Sequence, residues 1–149
     1  IGGEMLRRAA NRLGMTLHAF EISRPEEMSA VLDRIAASRI DALLFDGQPL
    51  IRQRLDEIVA FLLARKLPSV GAITSFAERG GLLSYAPNEK EFFDRTASYV
   101  DRILKGAKPA DLPVEQPTKF DLVINLKTAK ALGVEIPQSV LVLANRVIE

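Results

Sequence analysis

Residues 40–73 read IDALLFDGQPLIRQRLDEIVAFLLARKLPSVGAI, and this stretch decides the fold class. Ile40 to Phe45 is a short, nearly continuous apolar run. Such a run suits a strand buried in a parallel sheet, where both faces are covered. Asp46-Gly47-Gln48-Pro49 then turns the chain into a helix. Its apolar positions are Leu55, Ile58, Val59, Leu62 and Leu63, which form one helical stripe. Leu67-Pro68 ends that helix, because proline disfavours helical geometry in the residue before it. Ser69 to Ile73 reads as the next strand. A strand, a helix and a second strand in so short a span predict a crossover between parallel neighbours.

The alternation extends in both directions. Upstream, Met5, Leu6, Ala9, Ala10 and Leu13 lie on one helical face that Gly14 closes. Thr16 to Ile22 reads as a strand, and Ser23 and Glu26 are spaced as a capping box with Pro25 in the first turn. Met28, Val31, Leu32, Ile35 and Ala36 then form another helical stripe. Downstream, Thr74 to Arg79 is a connector that Gly80-Gly81 breaks, and Leu82 to Tyr85 is a strand. Ala86-Pro87-Asn88 leads into a long helix from about Glu89 to Lys105, aromatic on a broad face and capped by Gly106. Pro109, Pro113 and Pro117 predict an extended surface crossing over 108–118, with Leu112 and Val114 as its apolar anchors. Phe120 to Asn125 reads as a strand, and Asn125 can cap a short helix ending at Gly133. Pro137 starts a last short helix around Gln138 to Ala144. The pattern predicts an α/β fold: a mainly parallel sheet with helices on both faces. The chain opens Ile1-Gly2-Gly3, with no initiator Met and no leader pattern, and its first helix has no strand before it. We therefore expect a processed or truncated chain whose packing partners lie in part outside it.

Composition narrows the function. The 149 residues are 48% apolar and 26% charged, which is globular rather than disordered. Twenty basic and nineteen acidic residues give a net charge of +1, so nothing electrostatic calls for nucleic acid or an anionic membrane. There is no cysteine, which excludes disulfides, thiolate nucleophiles and thiolate metal sites. The single histidine, His18, falls in the middle of a predicted strand, away from the strand ends where sites form. A metal site would have to be built from carboxylates alone, and the acidic pairs Glu26-Glu27 and Asp56-Glu57 suit helix first turns and solvated faces better. No P-loop, dinucleotide fingerprint or nucleophile elbow occurs, and no cofactor or catalytic residue is assigned.

What remains is the rule for open parallel sheets, whose ligands sit beyond the carboxyl ends of the strands. After successive predicted strands come Ser23 and Arg24; Asp46, Gly47 and Gln48; Thr74, Ser75 and Phe76; and Tyr85 to Asn88. The candidate ligand residues are Asp46, Gln48, Thr74, Ser75, Phe76 and Tyr85. A carboxylate, an amide, hydroxyls and aromatic rings suit a small polar solute carrying an ammonium group or an apolar face. Ser23 and Asp46 also suit helix caps, and Phe76 also suits the core.

Two segments carry a family resemblance. Gly80-Gly81-Leu82-Leu83-Ser84-Tyr85-Ala86-Pro87 resembles the "GGL-SYGP" segment of a family of ABC-transporter substrate-binding proteins, with Ala86 where the family usually has Gly. Residues 102–120, RILKGAKPADLPVEQPTKF, resemble that family's "ILKG-KPADLPV-QPTKF" signature, and 121–133, Ile136-Pro137 and Val147-Ile148-Glu149 continue it. The likeness is specific over 80–149 and looser over 1–79. Such proteins are similar to type I periplasmic binding proteins, in which two α/β lobes joined by a hinge hold a ligand between them. The resemblance implies that 1–149 is a partial C-terminal ligand-binding lobe with crossing segments at about 86–118, the N-terminal lobe lying outside this chain. It implies that the long aromatic helix belongs to the partner lobe. It also implies a non-enzymatic, extracytoplasmic solute-binding component of an ABC importer, with a small-molecule, amino-acid-like ligand and ABC permease subunits as partners. A ligand-sensing domain of a signal-transduction protein is the alternative. The exposed aromatic face predicts a homo-oligomer or a segment-swapped dimer of the chain alone.

Overall fold

The computed structural model describes residues 2–149, so Ile1 lies outside the described residues. Two compact units emerge, divided between Asp41 and Ala42.

In the first unit, α1 (Gly2–Arg12) carries the predicted apolar face, and Met5 and Leu6 on it are exposed. Residues 15–23 take no regular structure, so the strand expected over Thr16 to Ile22 does not form. A strand needs a neighbour to satisfy its backbone donors and acceptors, and none of the described residues pairs with this segment. A 3-10 turn, Pro25–Glu27, leads into α2 (Met28–Ala37). The capping box is one residue later than its expected position. Glu27, not Glu26, accepts from the backbone N–H groups of Ser23 and Arg24 at 3.0 and 3.3 Å. Met28, Val31, Leu32 and Ile35 are buried, as their spacing requires.

In the second unit, β1 (Leu43–Phe45), α3 (Pro49–Gln53), α4 (Leu55–Ala64) and β2 (Ser69–Gly71) realise the deciding stretch. The single helix expected there is broken at Arg54, whose φ of −111° and ψ of 18° leave helical geometry. Leu55, Ile58, Val59 and Leu62 are buried while Leu63 is exposed. A turn follows, and Gly80 takes φ +101°, a conformation costly for any residue with a Cβ. Then come β3 (Leu83–Pro87), α5 (Glu89–Leu104), β4 (Phe120–Asn125), α6 (Leu126–Leu132), α7 (Gln138–Leu141) and β5 (Arg146–Ile148).

The described residues form a five-stranded sheet of order β1-β2-β3-β4-β5. Neighbouring strands are parallel except β3 and β4, which are antiparallel. This is the mainly parallel α/β sheet that the sequence pattern predicts. β5 was not anticipated, and α7 ends earlier than the expected Ala144. The crossing segment is extended apart from one 3-10 turn at Pro109–Asp111. Its expected anchor Val114 is 98% exposed. The segment is held instead by polar contacts from α5, described below.

Both faces of the sheet are covered at the end of β4, where the consecutive residues Val123, Ile124 and Asn125 are all buried. On β3, Ser84 and Ala86 point into the core and Tyr85 points the other way, the alternation of a half-buried strand. No buried side-chain nitrogen or oxygen among the described residues lacks a hydrogen-bond partner. None of the described helices is long and apolar enough to cross a membrane.

Candidate functional site

The carboxyl ends of β1, β2 and β3 share one edge of the sheet, because the three strands are parallel. Phe45 pairs with Gly71, and Gly71 with Ser84. One step further, Asp46 and Tyr85 therefore fall on a common row, with β2 between them. Two inter-strand spacings put their backbones about 10 Å apart, a span suited to a small solute.

On the β1 side, Asp46 is exposed and engages Gln48. Gln48 donates from its side-chain amide to Asp46 Oδ2 at 2.7 Å, and from its backbone N–H to Oδ1 at 3.4 Å. Asp46 thus closes a local turn and does not cap α3, whose N-cap residue is Gln48. Arg52 Nε donates to the Gly47 carbonyl at 3.2 Å. Its guanidinium also lies 4.0 Å from the Glu89 carboxylate, which brings the start of α5 toward this edge.

On the β2 side, Thr74 and Ser75 are half-buried in the turn after the strand. Phe76 is different from the expectation. It is 0% exposed and meets Phe45 edge to face at 4.7 Å between ring centroids. The turn points it inward, so it forms the floor under the edge and does not line its surface. The reason is hydrophobic. The ring gains more by filling the core than by facing water.

On the β3 side, Tyr85 is 52% exposed and stacks on Phe120 of β4, centroids 5.3 Å apart and planes 17° apart. Counting residues after each strand misses Phe120, because β4 runs antiparallel and brings its first residue, not its last, to this edge. An aromatic at the start of a strand that follows a proline-rich crossing was the signal in the sequence. Asn88 ties the two strands together beyond the ladder. Its side-chain amide donates to Asp121 Oδ2 at 2.8 Å, and its backbone N–H to the Lys119 carbonyl at 3.0 Å.

A small groove of about 150 Å³ lies between α5 and the crossing segment, with Asn88 in its lining. Its polar groups are committed to one another. Glu91 accepts from Thr118 Oγ1 at 2.8 Å, from Arg95 at 2.8 Å and from the Lys119 N–H at 3.0 Å. These bonds, Thr118 first, hold the Glu91 carboxyl below its ordinary pKa. Arg95 also pairs with Glu115, and Tyr99 Oη donates to the Pro113 carbonyl at 2.6 Å. This network fastens the crossing segment to α5.

Ser23 and Arg24 belong to the first unit, where they serve the Glu27 box. His18 is exposed and lies outside any strand. No three His, Asp or Glu side chains among the described residues gather where they could hold a metal ion.

No curated protein matches the chain. Solved structures similar to it include the ABC domain from Streptococcus pneumoniae in complex with L-Trp. That structure is 31% identical with a TM-score of 0.90, over 99% of this chain and 50% of the other. A conserved domain protein from Vibrio cholerae O1 biovar El Tor is 28% identical with a TM-score of 0.88, over 97% of this chain and 48% of the other. A ligand-free, open substrate-binding protein with adhesive properties from Clostridium difficile shares the fold at 22% identity and a TM-score of 0.65, over 97% and 48%. The chain therefore spans about half the length of the structures it resembles. The family model described as ABC transporter substrate binding protein matches residues 3–148, and with that match over almost its whole length the chain belongs to the ABC transporter substrate-binding protein family.

Proposed function

We propose that residues 1–149 supply the C-terminal ligand-binding lobe of a two-lobe, extracytoplasmic solute-binding protein. It would serve an ABC importer and pass a small amino-acid-like solute to permease subunits. Residues about 86–118 would be the crossing segments, with α5 contributing to the opposite lobe. The lobes would close over the solute, and the permease would read the closed form. No bond is made or broken.

The observation that carries this reading is the sheet edge where Asp46 and Gln48 follow β1, Thr74 and Ser75 follow β2, and Tyr85 stands exposed within the adjacent parallel strand β3. A carboxylate there suits a ligand ammonium, the amide and hydroxyls suit a ligand carboxylate, and Tyr85 suits an apolar side chain. Phe76 supports that edge from within the core. Family membership and the L-Trp bound to the Streptococcus pneumoniae neighbour support an amino-acid-like cargo.

Thermal unfolding of the complete two-lobe protein against amino acids, purines and small organic acids tests it. A cognate ligand at about 100 times its Kd adds roughly 2.7 kcal/mol to stability. A shift confined to amino acids supports the reading. A shift confined to another class, or turnover of any panel member, overturns it.

A further inference from the structure

Among the described residues the buried polar side chains are Ser69, Ser84, Asn125 and Thr128. The last three all bond to one turn, 74–81, which follows β2. Ser84 Oγ, on β3, accepts the Ala77 N–H at 2.8 Å. Asn125 Nδ2, at the end of β4, donates to the Ala77 carbonyl at 2.9 Å. Thr128 Oγ1, on α6, donates to the Gly80 carbonyl at 2.9 Å. A buried hydroxyl or amide is unfavourable unless it gains a partner. Here the partners lie on a single segment, which is thereby gripped from two strands and a helix.

The grip is tightest at Ala77. The turn closes backbone hydrogen bonds of its own, from Phe76 to Ile73, Arg79 to Ser75, Gly80 to Ala77 and Gly81 to Phe76. None of them uses the Ala77 N–H, and Ala77 is 0% exposed, so water cannot serve it. Ser84 is its partner. At the other end the turn leaves β2 hard against β1. Ala72 donates its N–H to the Phe45 carbonyl at 3.0 Å, and a Cβ on Gly47 would lie 2.5 Å from the Ala72 carbonyl oxygen. Thr74 and Ser75 sit between these two fixed points, beside the turn that carries Asp46 and Gln48. Ile73, Phe76 and Ser84 are also 0% exposed, so the fixing contacts are interior to the lobe. Side chains that contact a ligand keep their geometry when interior hydrogen bonds and packing hold their backbone.

We infer that Ser84 is a positioning residue for solute binding: through the Ala77 N–H its hydroxyl fixes the turn that presents Thr74 and Ser75 next to Asp46 and Gln48. The inference rests on the binding-protein reading above and adds to it an interior residue that itself touches no solute.

The twenty standard amino acids are first titrated calorimetrically into the complete two-lobe protein, and the tightest binder becomes the probe. All titrations run below every thermal midpoint, so that each variant is folded when it binds. Ser84→Ala should weaken the probe by about three- to tenfold, the scale of one hydrogen bond. Ser84→Cys keeps a weak acceptor at the same place and should fall between the wild type and Ser84→Ala; it carries the same comparison if Ser84→Ala does not fold. Leu67→Ala, at the opposite end of β2, should lower the thermal midpoint yet leave affinity within about twofold. In a Thr74→Ala/Ser75→Ala background, Ser84→Ala should weaken the probe by less than about twofold further, because residues acting through one another are not additive. Without ligand, amide exchange over 74–81 should speed by about three- to tenfold in Ser84→Ala and not in Leu67→Ala. A Ser84→Ala protein that binds like the wild type overturns the positioning role and leaves the binding reading intact. So does a loss that adds in full to that of Thr74→Ala/Ser75→Ala, or one that Leu67→Ala reproduces. A wild type that binds none of the twenty overturns the amino-acid reading and the positioning role with it.

Discussion

Ala77 is fully buried, yet both its backbone polar groups are satisfied by side chains. Its N–H donates to Ser84 Oγ at 2.8 Å, and its carbonyl accepts from Asn125 Nδ2 at 2.9 Å. Asn125 works twice, since its Oδ1 also accepts the Thr128 N–H and so caps α6. Asn125→Ala should therefore lose a cap and one of the two donors to the Ala77 carbonyl, which keeps the Gly80 N–H at 3.2 Å, lowering unfolding free energy by about 1–2 kcal/mol in urea titrations. A loss near that of an exposed substitution would show that water replaces both bonds. Next to this turn, a Cβ on Gly81 would lie 2.3 Å from the Phe76 ring, which has nowhere to move because it is fully buried. Gly81→Ala should cost about 1–3 kcal/mol by overpacking. At the site, Asp46→Asn keeps shape and removes charge. If the carboxylate holds a ligand ammonium, affinity should fall by about tenfold or more, read by titration. The thermal midpoint without ligand should barely move, because the residue is exposed.

The long helix shows what an element owes to its surroundings. Asn88 caps α5 by accepting the Glu91 N–H at 2.8 Å, just where the sequence leads Ala86-Pro87-Asn88 into the long helix. The face carrying Glu91, Arg95 and Tyr99 is spent on the crossing segment, whose proline content forbids it a ladder of its own. The sign of its pH dependence follows from Glu91. Its folded pKa is depressed, so its contribution is complete above the ordinary glutamate range. It is lost as pH falls through that lowered value. Hydrogen exchange at Thr118 and Lys119 should accelerate on acidification through this window, and Glu91→Gln should flatten the dependence. Exchange that is equally acid-sensitive in the variant would assign the effect elsewhere. Residues 16–22 make the opposite point. Their apolar alternation is strand-like, but a strand exists only when something pairs with it.

At the scale of the whole molecule, the opposite face of α5 decides behaviour in solution. Phe93, Val100 and Leu104 there are exposed, Leu104 at 81%, while Phe92 lines the groove on the crossing-segment side, and no residue of α5 is buried. Contiguous apolar surface of this kind marks an interaction face. The 149-residue chain by itself should therefore self-associate at roughly tens of micromolar, and light scattering should report more than the monomer mass. Charged replacements at Phe93 and Leu104 should restore the monomer mass. A strictly monomeric wild type would show that this face needs no cover.

Periodicity and capping residues alone determined most of the elements: the α4 stripe, the cap at Asn125, and the short buried strands around them. These are local properties, set by side-chain spacing and by hydrogen bonds within a few residues. Charge balance and the lack of cysteine narrowed the chemistry in the same local way. The tertiary structure decided what depends on partners distant in sequence. It sent Phe76 into the core, left 16–22 unpaired and moved the crossing segment's anchoring from Val114 to the Glu91 network. It also laid β4 antiparallel to β3, which carried Phe120 to the edge beside Tyr85. None of these could be read from spacing, because each depends on which segment supplies the neighbouring surface, and only the assembled sheet determines that.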